Sequence, residues 1–304
     1  MNKVAHNRQG RLWMPLSALI LLLFGQTLLA QTPPLDLGEA RTYESSSGEL
    51  VNVNFFPCKD AECKGAVIDV VSGDWVSDEK QLEIQVKSHL YTELLESFDV
   101  YAIRPGSRGK ATIEQMRCNL QQGVRYVRAE LRKADKTDWV GIVGSSSGGQ
   151  LAALVALEPK EALENASDPL QSSAAKVDAC GLFFPVTCLT DFLDGQQEKD
   201  YAALLYRPDE SGREDVHERI YAVSPSARPI LEANRVPLVI YHGEADTIIP
   251  LQHSKTFVSR LNEEGWGARL LIKPLGSHPW PTIRDEFVHL REWFVEQSTL
   301  KSQD

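Results

Sequence analysis

The stretch WVGIVGSSSGGQLAALVAL, residues 139–157, most constrains what this chain can fold into. A short apolar run leads into Gly144-Ser145-Ser146-Ser147-Gly148-Gly149, and strong helix formers follow. That order reads as a buried strand, a tight turn and a helix. Gly-x-Ser-x-Gly falls on the turn, with Ser146 at its centre. A serine hydroxyl attacks well only when it protrudes from the carboxyl edge of a sheet. The turn that presents it is strained and crowds the positions two residues away, so side chains are excluded there. The next helix aims its amino terminus at the point where negative charge would develop. A flexible Ser/Gly linker would not be bracketed by an apolar strand and an alanine–leucine helix. Phosphate-binding loops need Lys-Ser/Thr or G-x-G-x-x-G, and neither occurs here.

Around this unit, strands alternate with helices. Residues 42–43 and 50–56 alternate apolar and polar positions about Ser45-Ser46-Ser47-Gly48, as a hairpin does. Residues 66–71 are apolar except for Asp69, the mark of a strand buried on both faces. Helical spacing follows over 79–97, then a strand over 98–103. An amphipathic helix covers 112–133, with Ile113, Met116, Leu120, Val124, Val127 and Leu131 on one face. Beyond the central unit, strands are expected at 177–184, 236–241 and 268–274, with helices at 252–264 and 282–297. Residues 191–234 lack periodicity and carry many charges and prolines. They read as an irregular, cap-like insertion with short helices over the site. The expected fold is α/β, a mostly parallel central sheet with helices on both faces. Sites in such sheets lie at the carboxyl ends of the strands.

The amino terminus stands apart. Lys3, Arg8 and Arg11 precede an apolar run over 12–30 that ends Leu28-Leu29-Ala30. This is the pattern of a secretory signal peptide cleaved after Ala30, leaving residues 31–304 as a single domain that is secreted or periplasmic and has no stable membrane insertion. Leu28 is larger than usual three residues before the cut, so an uncleaved membrane anchor is the alternative. Loss of the leader moves the net charge from −10 to −13. No basic stripe is left to neutralise phosphates, which argues against a nucleic-acid partner. Five cysteines follow the leader. Cys58–Cys63, across a loop, and Cys180–Cys188 are candidate disulfides, with Cys118 left over. No paired Cys/His spacing suggests zinc, and the oligomeric state is not legible.

A serine nucleophile needs a base, and the base needs an acid to orient it. In chain order the acid follows the serine and the histidine comes last. Asp246 lies in His242-Gly243-Glu244-Ala245-Asp246, in the loop leaving the 236–241 strand, and His278 lies in the equivalent loop one strand on. Glu244 is a rival acid. His242 reads as a support for its loop, too close in sequence to Asp246 to share its imidazole, and His253 and His289 read as structural or solvated helix positions. The oxyanion formed on attack needs backbone N–H donors. Ser147 supplies one, and the loop after the third strand, with Gly73 and Asp74, the other. Trp75 is expected against the substrate.

These motifs resemble the esterase/lipase branch of the α/β-hydrolase superfamily, the HGGG-type and BD-FAE-like carboxylesterases. Its members carry His-Gly-Gly-Gly-Trp, Gly-x-Ser-x-Gly-Gly, His-Gly-x-x-Asp-x-x-Val-Pro and Gly-x-Gly-His. Residues 144–149 match the second and 242–250 the third, with Ile249 for Val; Gly276-Ser277-His278 matches the fourth loosely. The likeness runs from about residue 66 to 293. Val71-Ser72-Gly73-Asp74-Trp75 departs from the first motif: it lacks the histidine and sets a carboxylate beside the hole, where charge would oppose the oxyanion. The resemblance implies a serine carboxylesterase with the triad Ser146, His278 and Asp246, acting without metal or organic cofactor on small esters, including acyl groups on carbohydrate. Residues 191–234 would line its pocket. Prolyl-oligopeptidase-type peptidases share these loops but carry a propeller for which the chain has no room. An inactive hydrolase-fold binding protein is the alternative from a different class.

Overall fold

The computed structural model describes residues 34–302 apart from 165–167, 191–197, 207–214 and 279. The expected leader therefore lies outside the described residues, as do parts of the cap-like segment. Residues 36–304 form one compact unit. Its eight strands are β1 (Glu39–Glu44), β2 (Leu50–Phe56), β3 (Ala66–Val70), β4 (Asp99–Arg104), β5 (Val140–Ser145), β6 (Ala179–Phe183), β7 (Leu238–Gly243) and β8 (Arg269–Lys273). They lie in the order β1-β2-β4-β3-β5-β6-β7-β8. The β1–β2 and β2–β4 pairs are antiparallel, and every pair from β4 to β8 is parallel. The carboxyl ends of β3, β5, β6, β7 and β8 therefore share one edge.

The helices are α1 (Glu79–Lys87), α2 (Leu90–Leu94), α3 (Ile113–Lys133), α4 (Ser147–Leu157), α5 (Glu198–Leu205), α6 (Val216–Ala222), α7 (Gln252–Glu263) and α8 (Glu286–Lys301). On one sheet face Leu120, Val124, Leu151 and Phe257 from α3, α4 and α7 pack with Ile68 and Ile142. On the other, Leu82, Leu90, Phe287 and Phe294 from α1, α2 and α8 pack with Val67 and Val143. Alternate residues of each strand serve opposite faces, so the sheet is buried on both sides. The α3 stripe is buried as its spacing predicts. Thr112 starts α3 with a capping box: its Oγ1 accepts from the Gln115 N–H at 3.2 Å, and its own N–H donates to Gln115 Oε1 at 2.9 Å.

Four expectations change. The 79–97 helix is two helices, because His89 takes φ 74° between them. The Ser88 hydroxyl donates to the Gln85 carbonyl and accepts from the Leu90 N–H, capping both sides of the break. The closing helix begins at Glu286, not at 282; Thr282 Oγ1 accepts from the Ser277 N–H at 3.0 Å and ties the preceding turn to the β8 loop. All five cysteines are free thiols. Cys180 is buried in the core on β6, whereas the Cys188 sulfur is 2.8 Å from Thr190 Oγ1. Burial and the neighbouring Cys63 push the Cys58 thiol up to about 12. Finally, the short helices expected in 191–234 are present at α5 and α6, but the described part packs through Leu204, Leu205, Ile220 and Val223 onto the α3–α4 face. None of its described residues lines the cavity at the sheet edge.

Candidate active site

Ser146 stands between β5 and α4 at φ 53°, ψ −119°, a conformation that L residues avoid. The surrounding backbone holds it there. Its N–H donates to the Phe183 carbonyl at 3.0 Å, and its carbonyl accepts from Gln150 and Val186 N–H groups at 3.1 and 3.2 Å. The glycines follow from the same crowding. A Cβ on Gly144 would collide with the Gly148 carbonyl, and one on Gly148 would sit 2.6 Å from the Val70 carbonyl.

Ser146 and His278 both line a cavity of about 400 Å³ at the carboxyl edge, without a hydrogen bond joining them. Such contacts are often open before substrate arrives. His278 Nδ1–H donates to Asp246 Oδ2 at 2.9 Å, which leaves Nε2 free for another partner. Its ring leans on Phe184, with centroids 4.4 Å apart. Asp246 is buried, and its Oδ1 accepts from the Ile248 and Ile249 N–H groups at 2.9 Å each. Burial works to raise this carboxyl. Hydrogen bonds from His242, His278 and the Ile249 N–H outweigh it and hold the group well below the usual carboxylate range. Glu244, the rival acid, is exposed.

His242 supports the loop as expected, yet it also reaches the carboxylate. Its Nε2–H donates to the Ile249 carbonyl at 2.9 Å and lies 3.5 Å from Asp246 Oδ2, while Nδ1 accepts from Ser254 Oγ at 2.7 Å. Sequence proximity did not prevent that approach, because the loop between them turns back on itself. The acid and base loops are joined directly. The Ala245 N–H donates to the Gly276 carbonyl at 2.8 Å, and a Cβ on Gly243 would collide with that same carbonyl. His253 is buried, and its Nδ1 accepts from the Thr187 N–H at 3.3 Å; His289 is exposed.

The oxyanion loop requires a correction. The Gly73 N–H donates to the Val76 carbonyl at 3.0 Å, and the Val76 N–H returns the bond at 2.9 Å. Gly73 is therefore not a donor to the cavity. The loop instead turns through Asp74 and Trp75, both left-handed at φ 51° and 54°. The Asp74 and Ser147 N–H groups, both on cavity-lining residues, donate to no acceptor among the described residues. A Cβ at Gly73 would meet only the terminal amide of Gln81, a flexible side chain that can move aside. The Asp74 carboxylate is drawn to Arg108 Nη2 at 2.8 Å.

Trp75 borders the cavity but is 5 % exposed, with Nε1–H donating to Gln150 Oε1 at 2.7 Å. Sequence reasoning missed the groups that set this loop. Ser147 Oγ accepts from the Trp75 N–H at 3.1 Å and is 3.0 Å from Ser72 Oγ. Gln150 Nε2 donates to the Val223 carbonyl at 2.8 Å. The available signal was one amide, Gln150, in an otherwise apolar helix.

Known proteins resemble this chain in sequence family and in fold. The BD-FAE family model matches residues 55–261. A probable carboxylic ester hydrolase, LipM, of Mycobacterium tuberculosis is 23% identical over 146 residues, 48% of this chain and 33% of the relative. The chain thus spans about a third of that relative's length. Among solved structures, a truncated carbohydrate esterase from gut microbiota superposes with a TM-score of 0.69 at 20% identity, covering 86% of this chain and 97% of the other. The acetyl ester-xyloside bifunctional hydrolase of Caldicellulosiruptor lactoaceticus gives 0.69 at 17%, covering 85% and 96%. Esterase 2 of Thermogutta terrifontis, phosphoramylated by tabun, gives 0.65 at 19%, covering 87% and 96%. At these identities the structures speak for the fold, which is that of the α/β-hydrolases.

Proposed function

The chain belongs to the BD-FAE family, and from that premise we propose that it is a serine carboxylesterase acting on small carboxylic esters. The observation that carries the reading is the Asp246–His278 hydrogen bond on the wall of the cavity that also holds Ser146. In this reading His278 Nε2 takes the Ser146 proton as Oγ attacks the ester carbonyl. Asp246, kept ionised by its donors, holds the imidazole in the Nδ1–H tautomer and stabilises the imidazolium. The tetrahedral oxyanion is met by the N–H of Ser147, at the amino terminus of α4, and the N–H of Asp74, in the loop after β3, each donor worth on the order of 3 kcal/mol. The imidazolium then protonates the leaving alcohol, and water, activated by the same histidine, releases the acid from the acyl-enzyme.

The carbohydrate esterase and the acetyl ester-xyloside hydrolase among its structural likenesses support acyl groups on carbohydrate as the natural substrate class. A cavity of about 400 Å³ suits a short acyl chain. The leader over 1–30 would export the enzyme, and mass spectrometry of the mature amino terminus tests the cut after Ala30. The catalytic reading is tested by release of chromophore from acetate and butyrate nitrophenyl esters. Ser146→Ala is expected to lower kcat by about 10⁵-fold with near-native thermal unfolding. Wild-type turnover by that variant would require another nucleophile.

A further inference from the structure

The wall of the cavity formed by α1 carries a polar group with nothing to bind. Leu82 and Gln85 form the buried face of α1. An apolar residue would satisfy the second position, yet it holds an amide that is 3 % exposed. Among the described residues, Gln85 Oε1, sealed from solvent, accepts no hydrogen bond, and no acceptor takes the Nε2 protons. The same residue lines the cavity that holds Ser146 and His278. A buried amide without partners is destabilising unless something that enters the cavity completes it. The other side chains at that edge, Ile84, Phe184, Val186 and Ile248, are apolar. Of the other polar lining residues, the Ser72 and Ser147 hydroxyls lie 3.0 Å apart and satisfy one another, and the Asp74 carboxylate pairs with Arg108, which leaves Gln81 and Ser145 beside the reacting groups.

We propose that Gln85 is a specificity-determining residue that binds a hydroxyl of the ester substrate. This rests on the carboxylesterase reading and adds the chemistry of what the cavity selects. A carboxamide presents two donors and one acceptor at the end of a freely rotating torsion. A hydroxyl both donates and accepts, so it pairs with the amide whichever end faces the cavity. A methyl group in the same place would leave the amide unpaired, and a site with an unpaired polar group discriminates against the substrate that leaves it so. The hydroxyl has two sources, the acyl chain or the alcohol.

The test compares kcat/KM for ethyl butyrate with ethyl 3-hydroxybutyrate, which adds the hydroxyl on the acyl side, and with 2-hydroxyethyl butyrate, which adds it on the alcohol side. Wild type, Gln85→Met and Gln85→Leu are each measured. Because the ratio is taken within one protein, loss of folded material cancels. Wild type is expected to prefer one hydroxylated ester by about tenfold, and both variants to bring that ratio near one. The arm that shows the preference identifies the source. No preference in wild type, or a preference unchanged in Gln85→Met, overturns the proposal. If no ester is turned over, the carboxylesterase reading fails by itself. Calorimetric binding of the same three esters to Ser146→Ala, with and without Gln85→Met, then reads the amide alone: tighter binding of a hydroxylated ester that Met abolishes supports it, and equal binding overturns it.

Discussion

Asp69 in the sheet and Asp246 in the loop at its edge are both buried carboxylates, and their surroundings drive them to opposite states. Asp246, at the carboxyl edge just beyond β7, collects two backbone N–H groups and His278, with His242 close by. Asp69, in the middle of β3, receives one hydrogen bond, from the Tyr91 hydroxyl at 2.6 Å, and its Oδ1 has no partner. Burial, opposed only by that bond, pushes Asp69 up to about 7. Burial by itself disfavours charge in both places; the number of donors decides which group keeps it. A carboxylate that orients an imidazolium has to remain ionised in a place where water cannot help. The loop after β7 achieves this with its own backbone, as the middle of a β-ladder cannot.

The comparison breaks most visibly at Asp246. Asp246→Asn is expected to lower kcat on a nitrophenyl ester by about 10⁴-fold, since the amide favours the wrong imidazole tautomer. A loss under tenfold would mean that the charge is not needed. The same variant sharpens the electrostatic side. A carboxyl whose pKa is depressed on folding contributes stability above its unfolded value of about 3.9, and that contribution vanishes as pH falls through the lower folded value. The stability gap between wild type and Asp246→Asn in urea should therefore be full at pH 7 and narrow below about pH 4.

Asp69 carries the reverse sign. Its folded pKa is raised to about 7, so between about pH 4 and 7 the folded state binds the extra proton and stability falls as pH rises, by up to about 1.4 kcal/mol per unit. Asp69→Asn should flatten that slope in urea titrations at pH 5, 6 and 7, and an unchanged slope would place it elsewhere. The smallest effect belongs to Asp74, an exposed carboxylate paired with Arg108. Arg108→Ala should reduce kcat/KM less than about threefold at low salt, with the difference disappearing in 0.5 M NaCl, as for any solvated pair. A much larger, salt-resistant loss would show that the Asp74 charge reaches the oxyanion.

The same contrast separates what was legible in the sequence from what was not. Ser146, Asp246 and His278 each follow a parallel strand, and parallel strands deliver their next loops to one edge; hydrophobic runs and three short motifs were enough to bring them together. The loop after β3 obeys no such rule. Its form depends on left-handed backbone at Asp74, a type that adopts it at times, and at Trp75, a type that gives no sign of it, and on the Ser147 hydroxyl and Gln150 amide, which arrive from another element. Gly73 therefore looked like a donor, although its N–H closes a local bridge to Val76. The break at His89 was hidden in the same way, within an unbroken helical periodicity. The irregular segment announced itself by composition, but composition does not say against which face a segment packs.

The close approach of Gly243 and Gly276 has a consequence for how this protein can vary. Neither residue bears a functional group, yet the carbonyl of one occupies the space a methyl would need on the other. In a library of random substitutions scored by turnover, Gly243 should tolerate as little as the reactive positions. An inactivating change there would leave every catalytic atom present and merely out of step with its neighbours.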